Sequence, residues 1–221
     1  MTILSPSILG ADLLHLGEEI EKTRRLGIRW LHLDQMDGLF TPTIAFGPQF
    51  VRAIRLKTDQ FLDVHLMLEY PMQHIEDFVA AGADLITIHY ECKDDPEKAL
   101  RAIAAHGVKT GLSIKPATPP EAIEHLLPLC DLVLVMTVQP GYGGQTLRED
   151  CVKKLPIVKE MIQKTGRDIY LEVDGGIKAG NMERVVKAGA NVLVMGTGLF
   201  GVRNPERIVS AAHGEDAPCT L

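Results

Sequence analysis

Three short stretches of the chain place reactive side chains at alternate positions: His32-Leu33-Asp34-Gln35-Met36, Asp63-Val64-His65-Leu66-Met67 and Glu172-Val173-Asp174-Gly175-Gly176. An extended strand sends successive side chains to opposite faces. His32, Asp34 and Met36 therefore share one face, while Leu31 and Leu33 share the other. By the same alternation Asp63, His65 and Met67 face together. If the leucines and valines meet an apolar layer, then His32, Asp34, His65 and Asp174 turn toward a common interior. Two imidazoles and two carboxylates cost several kcal/mol to desolvate there unless they are paired or bound to a metal. That donor set suits a divalent ion such as zinc, manganese, iron or cobalt. Taken singly, each residue has a plainer reading, since strand histidines are often hydrogen-bonded core residues and an Asp before two glycines often forms a turn. The metal expectation rests on the joint pattern. Asp63, at the inner end of its strand, reads as a buried structural partner.

Glycines supply a second signal. Pro140-Gly141-Tyr142-Gly143-Gly144-Gln145, Gly175-Gly176 and Gly196-Thr197-Gly198 follow three successive apolar runs. Without a Cβ, glycine lets backbone N–H groups approach an anion closely, so the three clusters suggest a phosphate grip. The cysteines suggest nothing comparable. Cys92, Cys130, Cys151 and Cys219 form no CxxC pair, which argues against zinc-finger spacing and against a disulfide framework; inert thiols are the expectation.

The elements that must position these groups recur with a rhythm. Eight β-rich runs are predicted: 3–8, 30–33, 61–66, 85–89, 109–114, 132–136, 169–173 and 192–195. Helical periodicity lies between them. Leu13, Leu16, Ile20 and Thr23 make the stripe of the first helix, and Met72, Ile75 and Val79 that of the third, which Pro71 starts and Gly82 stops. Ala81-Gly82-Ala83-Asp84-Leu85 is echoed by Ala188-Gly189-Ala190-Asn191-Val192 and more loosely by Leu26-Gly27-Ile28, each a glycine helix stop turning into a strand. Eight alternating units without an antiparallel hairpin signal predict a single closed (β/α)₈ barrel, a TIM barrel, over residues 1–212. An open doubly wound sheet is the alternative, but no GxGxxG follows the first run. Residues 213–221 (HGEDAPCTL) read as a polar tail. Barrel chemistry sits at the C-terminal ends of strands, where all of these polar groups and glycines fall.

Composition sets the boundaries. The 221 residues are 46% hydrophobic and 24% charged, an ordinary globular balance. A net charge of −6 with no Lys/Arg stripe argues against nucleic acid as a partner. The apolar runs are strand-sized, and the first residues lack a basic flank, so neither a membrane span nor a signal peptide is expected. A cytoplasmic protein is the expectation.

The segments Ser5-Pro6-Ser7-Ile8-Leu9, His32 to Gly38, Asp63 to Met67, Pro140 to Gln145 and Glu172 to Gly176 together resemble the ribulose-phosphate 3-epimerase family, in order and spacing from about residue 3 to 210. The resemblance implies a (β/α)₈ barrel that interconverts D-ribulose 5-phosphate and D-xylulose 5-phosphate with one divalent ion per chain: zinc, iron(II), manganese or cobalt. It implies His32, Asp34, His65 and Asp174 as ligands, with Asp34 and Asp174 also the acid/base pair. Ser7 and His65 would contact substrate, and Met36, Met67 and Met136 would wall the reacting carbon. Gly141, Tyr142, Gly143, Gly144, Asp174, Gly175, Gly176, Gly196 and Thr197 would hold the sugar and its phosphate. A homo-oligomer, dimer or hexamer, is expected, with a small sugar phosphate as the partner molecule. The chain departs from the family pattern at Thr43, at Lys115-Pro116-Ala117, at Gln139 and at Gly10, none of them in the ligand set.

Epimerisation beside a ketone removes a weakly acidic proton and returns one to the opposite face. It calls for two carboxylates flanking a planar enediolate, and a cation to stabilise its oxygens. A related ketose phosphate such as D-allulose 6-phosphate is an alternative substrate. A decarboxylase and a non-catalytic sugar-phosphate sensor on the same barrel are the remaining alternatives.

Overall fold

The computed structural model describes residues 2–213. Nine strands form one sheet: β1 (Ile3–Ser5), β2 (Trp30–Asp37), β3 (Ile44–Ala45), β4 (Phe61–Met67), β5 (Leu85–His89), β6 (Lys109–Ile114), β7 (Leu132–Met136), β8 (Tyr170–Asp174) and β9 (Val192–Val194). Eight are parallel neighbours in the order β1-β9-β8-β7-β6-β5-β4-β2. A parallel bridge between Ser7 and His32 closes the ring, and the His32 N–H donates to the Pro6 carbonyl at 2.9 Å. The predicted barrel is the observed one.

One antiparallel feature departs from expectation. β3 pairs with the end of β2, setting Met36 against Ala45 and Asp37 against Ile44. The cause lies in Asp37-Gly38. The Asp37 carboxylate accepts from the N–H groups of Leu39 and Phe40, both at 2.8 Å, and Gly38 adopts a φ of 76°. That is the turn chemistry of an Asp-Gly pair.

Alternation divides the strand residues into two layers. Leu31, Leu33, Val64, Leu66, Ile86, Ile88, Val133, Val135 and Val173 are buried in the large cluster between the sheet and the helices. Inside the barrel a smaller apolar cluster includes Trp30, Leu85, Leu132, Leu134 and Val192, with Trp30 stacked on Phe61 at 4.2 Å. Above this floor the interior turns polar: His32, Asp63, His65, Thr87, Ser113 and Glu172 are fully buried. Leaving aqueous solvent is costly for such groups. His32, His65 and Asp63 Oδ2 pair with neighbours, whereas Thr87 Oγ1, Ser113 Oγ and both Glu172 carboxylate oxygens have no hydrogen-bond partner among the described residues.

Two helical stripes differ from expectation. Leu13 sits in a separate turn, Leu13–His15, and is 50% exposed, while the helix itself runs Leu16–Arg25 and buries Ile20 and Thr23. Likewise Pro71 starts a short turn, Pro71–Gln73, that leaves Met72 exposed. The following helix, Ile75–Ala81, buries Ile75, Phe78 and Ala81. In both places a 3₁₀ turn precedes the α-helix and shifts the phase of the pattern. The glycine stops hold: Gly27, Gly82 and Gly189 have φ of 75°, 99° and 129°. Cys92, Cys130 and Cys151 are free thiols. Burial pushes Cys92 up to about 11 and Cys130 up to about 12, as expected of inert thiols. Among the described residues no helix is long and apolar enough to cross a membrane. Of the expected polar tail, 213–221, His213 ends the last helix, Pro205–His213, and residues 214–221 lie outside the described residues.

Candidate active site

Strand register builds the site. β2 and β4 pair so that His32 opposes Asp63, Asp34 opposes His65 and Met36 opposes Met67. On the far side β7 and β8 set Met136 against Asp174. One donor atom each from His32, Asp34, His65 and Asp174 can be chosen so that all four lie within 4.8 Å of one another. Three of them form a near-equilateral triangle: His32 Nε2 to Asp34 Oδ1 is 3.2 Å, His65 Nδ1 to Asp34 Oδ1 is 3.1 Å, and His32 Nε2 to His65 Nδ1 is 3.3 Å. Donors about 2.0–2.1 Å from a tetrahedral ion are spaced about 3.3–3.4 Å apart, so this triangle fits a divalent transition metal.

The second layer orients the first. Ser7 Oγ–H donates to Asp34 Oδ2 at 2.7 Å, leaving Oδ1 toward the cluster. His32 Nδ1 lies 2.6 Å from Asp63 Oδ2, so a proton on Nδ1 leaves Nε2 bare for an ion. Asp63 is thus the buried partner that its place on the strand suggests. Electrostatics follow from this crowding. Burial alone would raise the Asp34 carboxyl, but the neighbouring His32 ring, with His65 beside it, holds it well below the ordinary carboxylate range. Burial would lower His32, yet the Asp63 and Asp34 carboxylates outweigh it and raise the ring. For Asp174, burial and the nearby Asp34 charge push the carboxyl up to about 7. Glu172 lies one layer below, its Oε1 3.8 Å from His32 Nδ1, and burial, with Asp63 alongside, raises it well above its usual value.

A cleft opens above this cluster. Ser7, Asp34, Asp174, the three methionines and every glycine named from the sequence line it, together with Tyr142 and Thr197. His32 and His65 sit beneath, fully buried. The structure thus brings every sequence-predicted site residue to one barrel mouth. Sequence reasoning missed Thr137 and Gln145, which hold the glycine loops: Thr137 Oγ–H bonds the carbonyls of Gly175 at 2.6 Å and Asp174 at 2.8 Å, and Gln145 Nε2 donates to those of Gln139 and Tyr142 at 2.7 and 2.9 Å. It also missed His89, which ends β5, and Glu91, because alternation does not tell which residue of β4 His89 meets. The glycines are less alike than their sequence context suggests. A Cβ on Gly176 would stand 2.3 Å from the Leu147 nitrogen, and one on Gly175 2.5 Å from Val138 Cγ2, whereas one on Gly143 would meet nothing within 4 Å.

A closed parallel barrel with titratable groups at the C-terminal ends of its strands defines a (β/α)₈-barrel enzyme. Solved structures agree on the fold: the tryptophan synthase α-subunit of Pyrococcus furiosus superposes with a TM-score of 0.70 at 14% identity, covering 96% of this chain and 98% of that one. A 3-hexulose-6-phosphate synthase gives 0.67 at 18%, covering 98% and 100%. The chain belongs to the ribulose-phosphate 3 epimerase family, whose model matches residues 3–200. It is 41% identical to the ribulose-phosphate 3-epimerase of Synechocystis sp. over 98% of this chain and 95% of that protein. Against the Bacillus subtilis enzyme of the same name the identity is 41%, over 97% and 99%.

Proposed function

We propose that the protein is a metal-dependent 3-epimerase that interconverts D-ribulose 5-phosphate and D-xylulose 5-phosphate by two-base proton transfer through an enediolate. The observation that carries the proposal is the placement of Asp34 and Asp174 in one cluster, on β2 and β8, which β1 and β9 separate in the ring. His32, Asp34, His65 and Asp174 would hold the ion. A bound divalent cation there supplies Lewis-acid stabilisation of the negative charge that develops on the ketone and neighbouring hydroxyl oxygens.

The remaining roles belong to the chain. One of the two carboxylates removes the C3 proton. The other, as the acid, returns its proton to C3 from the opposite face, and the roles exchange in the reverse direction. Met36, Met67 and Met136 are buried at the cleft floor, where their thioethers exclude water without competing for protons. Backbone N–H groups of the glycine loops bind the phosphate at the cleft rim. The family departure at Lys115 gives no ground for a longer sugar. The Lys115 ammonium lies over the Phe40 ring, 3.5 Å from its centroid, and the residue is outside the set that lines the cleft.

Incubating the protein with D-ribulose 5-phosphate in deuterated water tests the proposal. Xylulose 5-phosphate carrying deuterium at C3 is expected, and faster turnover of D-allulose 6-phosphate would reassign the substrate.

A further inference from the structure

We propose that His89 and Glu91 are positioning residues that set the tautomer of His65 and so present its Nδ1 to the divalent ion. This rests on the metal reading above. The His65 atom in the donor triangle is Nδ1, 3.1 Å from Asp34 Oδ1 and 3.3 Å from His32 Nε2. A neutral imidazole with a bare Nδ1 carries its proton on Nε2. That Nε2 lies 2.9 Å from His89 Nε2. Two ring nitrogens so close need one donor and one acceptor, so His89 Nε2 must be bare and its proton must sit on Nδ1. There it faces Glu91 Oε2 at 3.2 Å, an acceptor.

The far end of the relay fixes its direction. Glu91 Oε1 accepts from the Lys115 N–H at 2.7 Å and from the Thr118 hydroxyl. A backbone N–H can only donate, so the carboxylate cannot be replaced by a donor without reversing every link. His89 is fully buried and packs on Phe40, ring centroids 4.6 Å apart. The loop after β6 is thereby connected to His65 through three hydrogen bonds, by way of the Glu91 carboxylate and the His89 imidazole. The backbone of Lys115, not its side chain, makes the connection, so the family departure at this position leaves it intact.

Zinc binding in competition with a chromophoric chelator tests the relay. In Glu91→Gln the carboxamide oxygen stays with the Lys115 N–H and its NH₂ turns toward His89, which moves the His65 proton onto Nδ1. Zinc affinity should fall about 10- to 100-fold in Glu91→Gln and in His89→Leu, the range for lost outer-shell partners. His89→Gln, whose Oε1 can accept from His65 Nε2–H, should stay within about threefold of wild type. Imidazole nitrogen NMR of the zinc-loaded wild-type protein needs no variant and should show protons on His65 Nε2 and His89 Nδ1. A proton on His89 Nε2, or unchanged zinc affinity in Glu91→Gln and His89→Leu, overturns the relay. Wild-type protein that binds no zinc overturns the metal reading instead.

Discussion

The two halves of the barrel mouth are built on different principles. On one side His32, Asp34 and His65 project from β2 and β4, fixed by strand register and by buried partners such as Asp63 and Ser7. On the other side the loops after β7, β8 and β9 present backbone, and their shape depends on glycines and on carbonyls tied down by Thr137 and Gln145. In the proposed function, side chains carry the chemistry in the first region, joined by Asp174 from the end of β8, whereas main chain carries the recognition in the second. On that proposal the first should be sensitive to any change of residue type, and the second only where a Cβ has no room.

The sharpest way to separate the halves is to remove the phosphate from the substrate. Charge-assisted hydrogen bonds are worth roughly 1.5–3 kcal/mol each, so losing three should lower kcat/KM for free ribulose by at least about 10³-fold. Turnover should fall as well as affinity, because remote binding energy supports orientation at the reacting carbon. A ratio near one between ribulose and ribulose 5-phosphate would remove the phosphate grip from the glycine loops.

The side-chain chemistry is tested by Asp34→Asn on β2 and Asp174→Asn on β8, each expected to lower kcat by at least about 10²-fold, the low end for general acid–base groups. Since both residues belong to the donor cluster, elemental analysis of each variant must accompany the kinetics. Near-normal turnover in a metal-loaded variant would strip that residue of its proton-transfer role. Chelation is the companion experiment. The purified protein should contain about one divalent ion per chain, lose activity in a strong chelator and regain it when the ion is restored. Full activity without metal would leave the donor triangle as a buried hydrogen-bond network.

The strand half is also the more legible of the two. Alternation around His32, Asp34 and His65 assigns their face from sequence alone, because a period of two survives any tertiary context that keeps the strand. Asp63 can be placed as a partner for the same reason. His89 cannot, since barrel stagger decides which residues of neighbouring strands meet: His65 pairs in register with Thr87 and reaches His89 diagonally. The helix stripes fail at Leu13 and Met72, where a 3₁₀ turn interrupts the phase. On the loop side the positions of the glycines are legible but their reasons are not. Gly175 and Gly176 are glycine because neighbouring chain lies within 3 Å of where a Cβ would be, a distance that sequence does not encode.

That difference within the loops gives the smallest expected effect. Gly176 has a φ of 69°, and a Cβ there would stand 2.3 Å from the Leu147 nitrogen, so alanine requires the loop to move. Gly176→Ala should therefore cost about 1–3 kcal/mol of stability, as overpacked sites do, and its kinetic defect would not distinguish packing from anion binding. Gly143 has neither constraint: its φ lies outside the left-handed region and a Cβ would stand in open space in the cleft. Gly143→Ala should leave thermal stability unchanged or slightly raised, because alanine narrows the unfolded ensemble. If backbone N–H groups there approach the phosphate, the added methyl should weaken substrate binding by about tenfold, about 1.4 kcal/mol, with metal content untouched. Paired thermal unfolding and kinetics check this, and an unaltered KM for ribulose 5-phosphate in a normally stable Gly143→Ala protein would place the anion elsewhere along the rim.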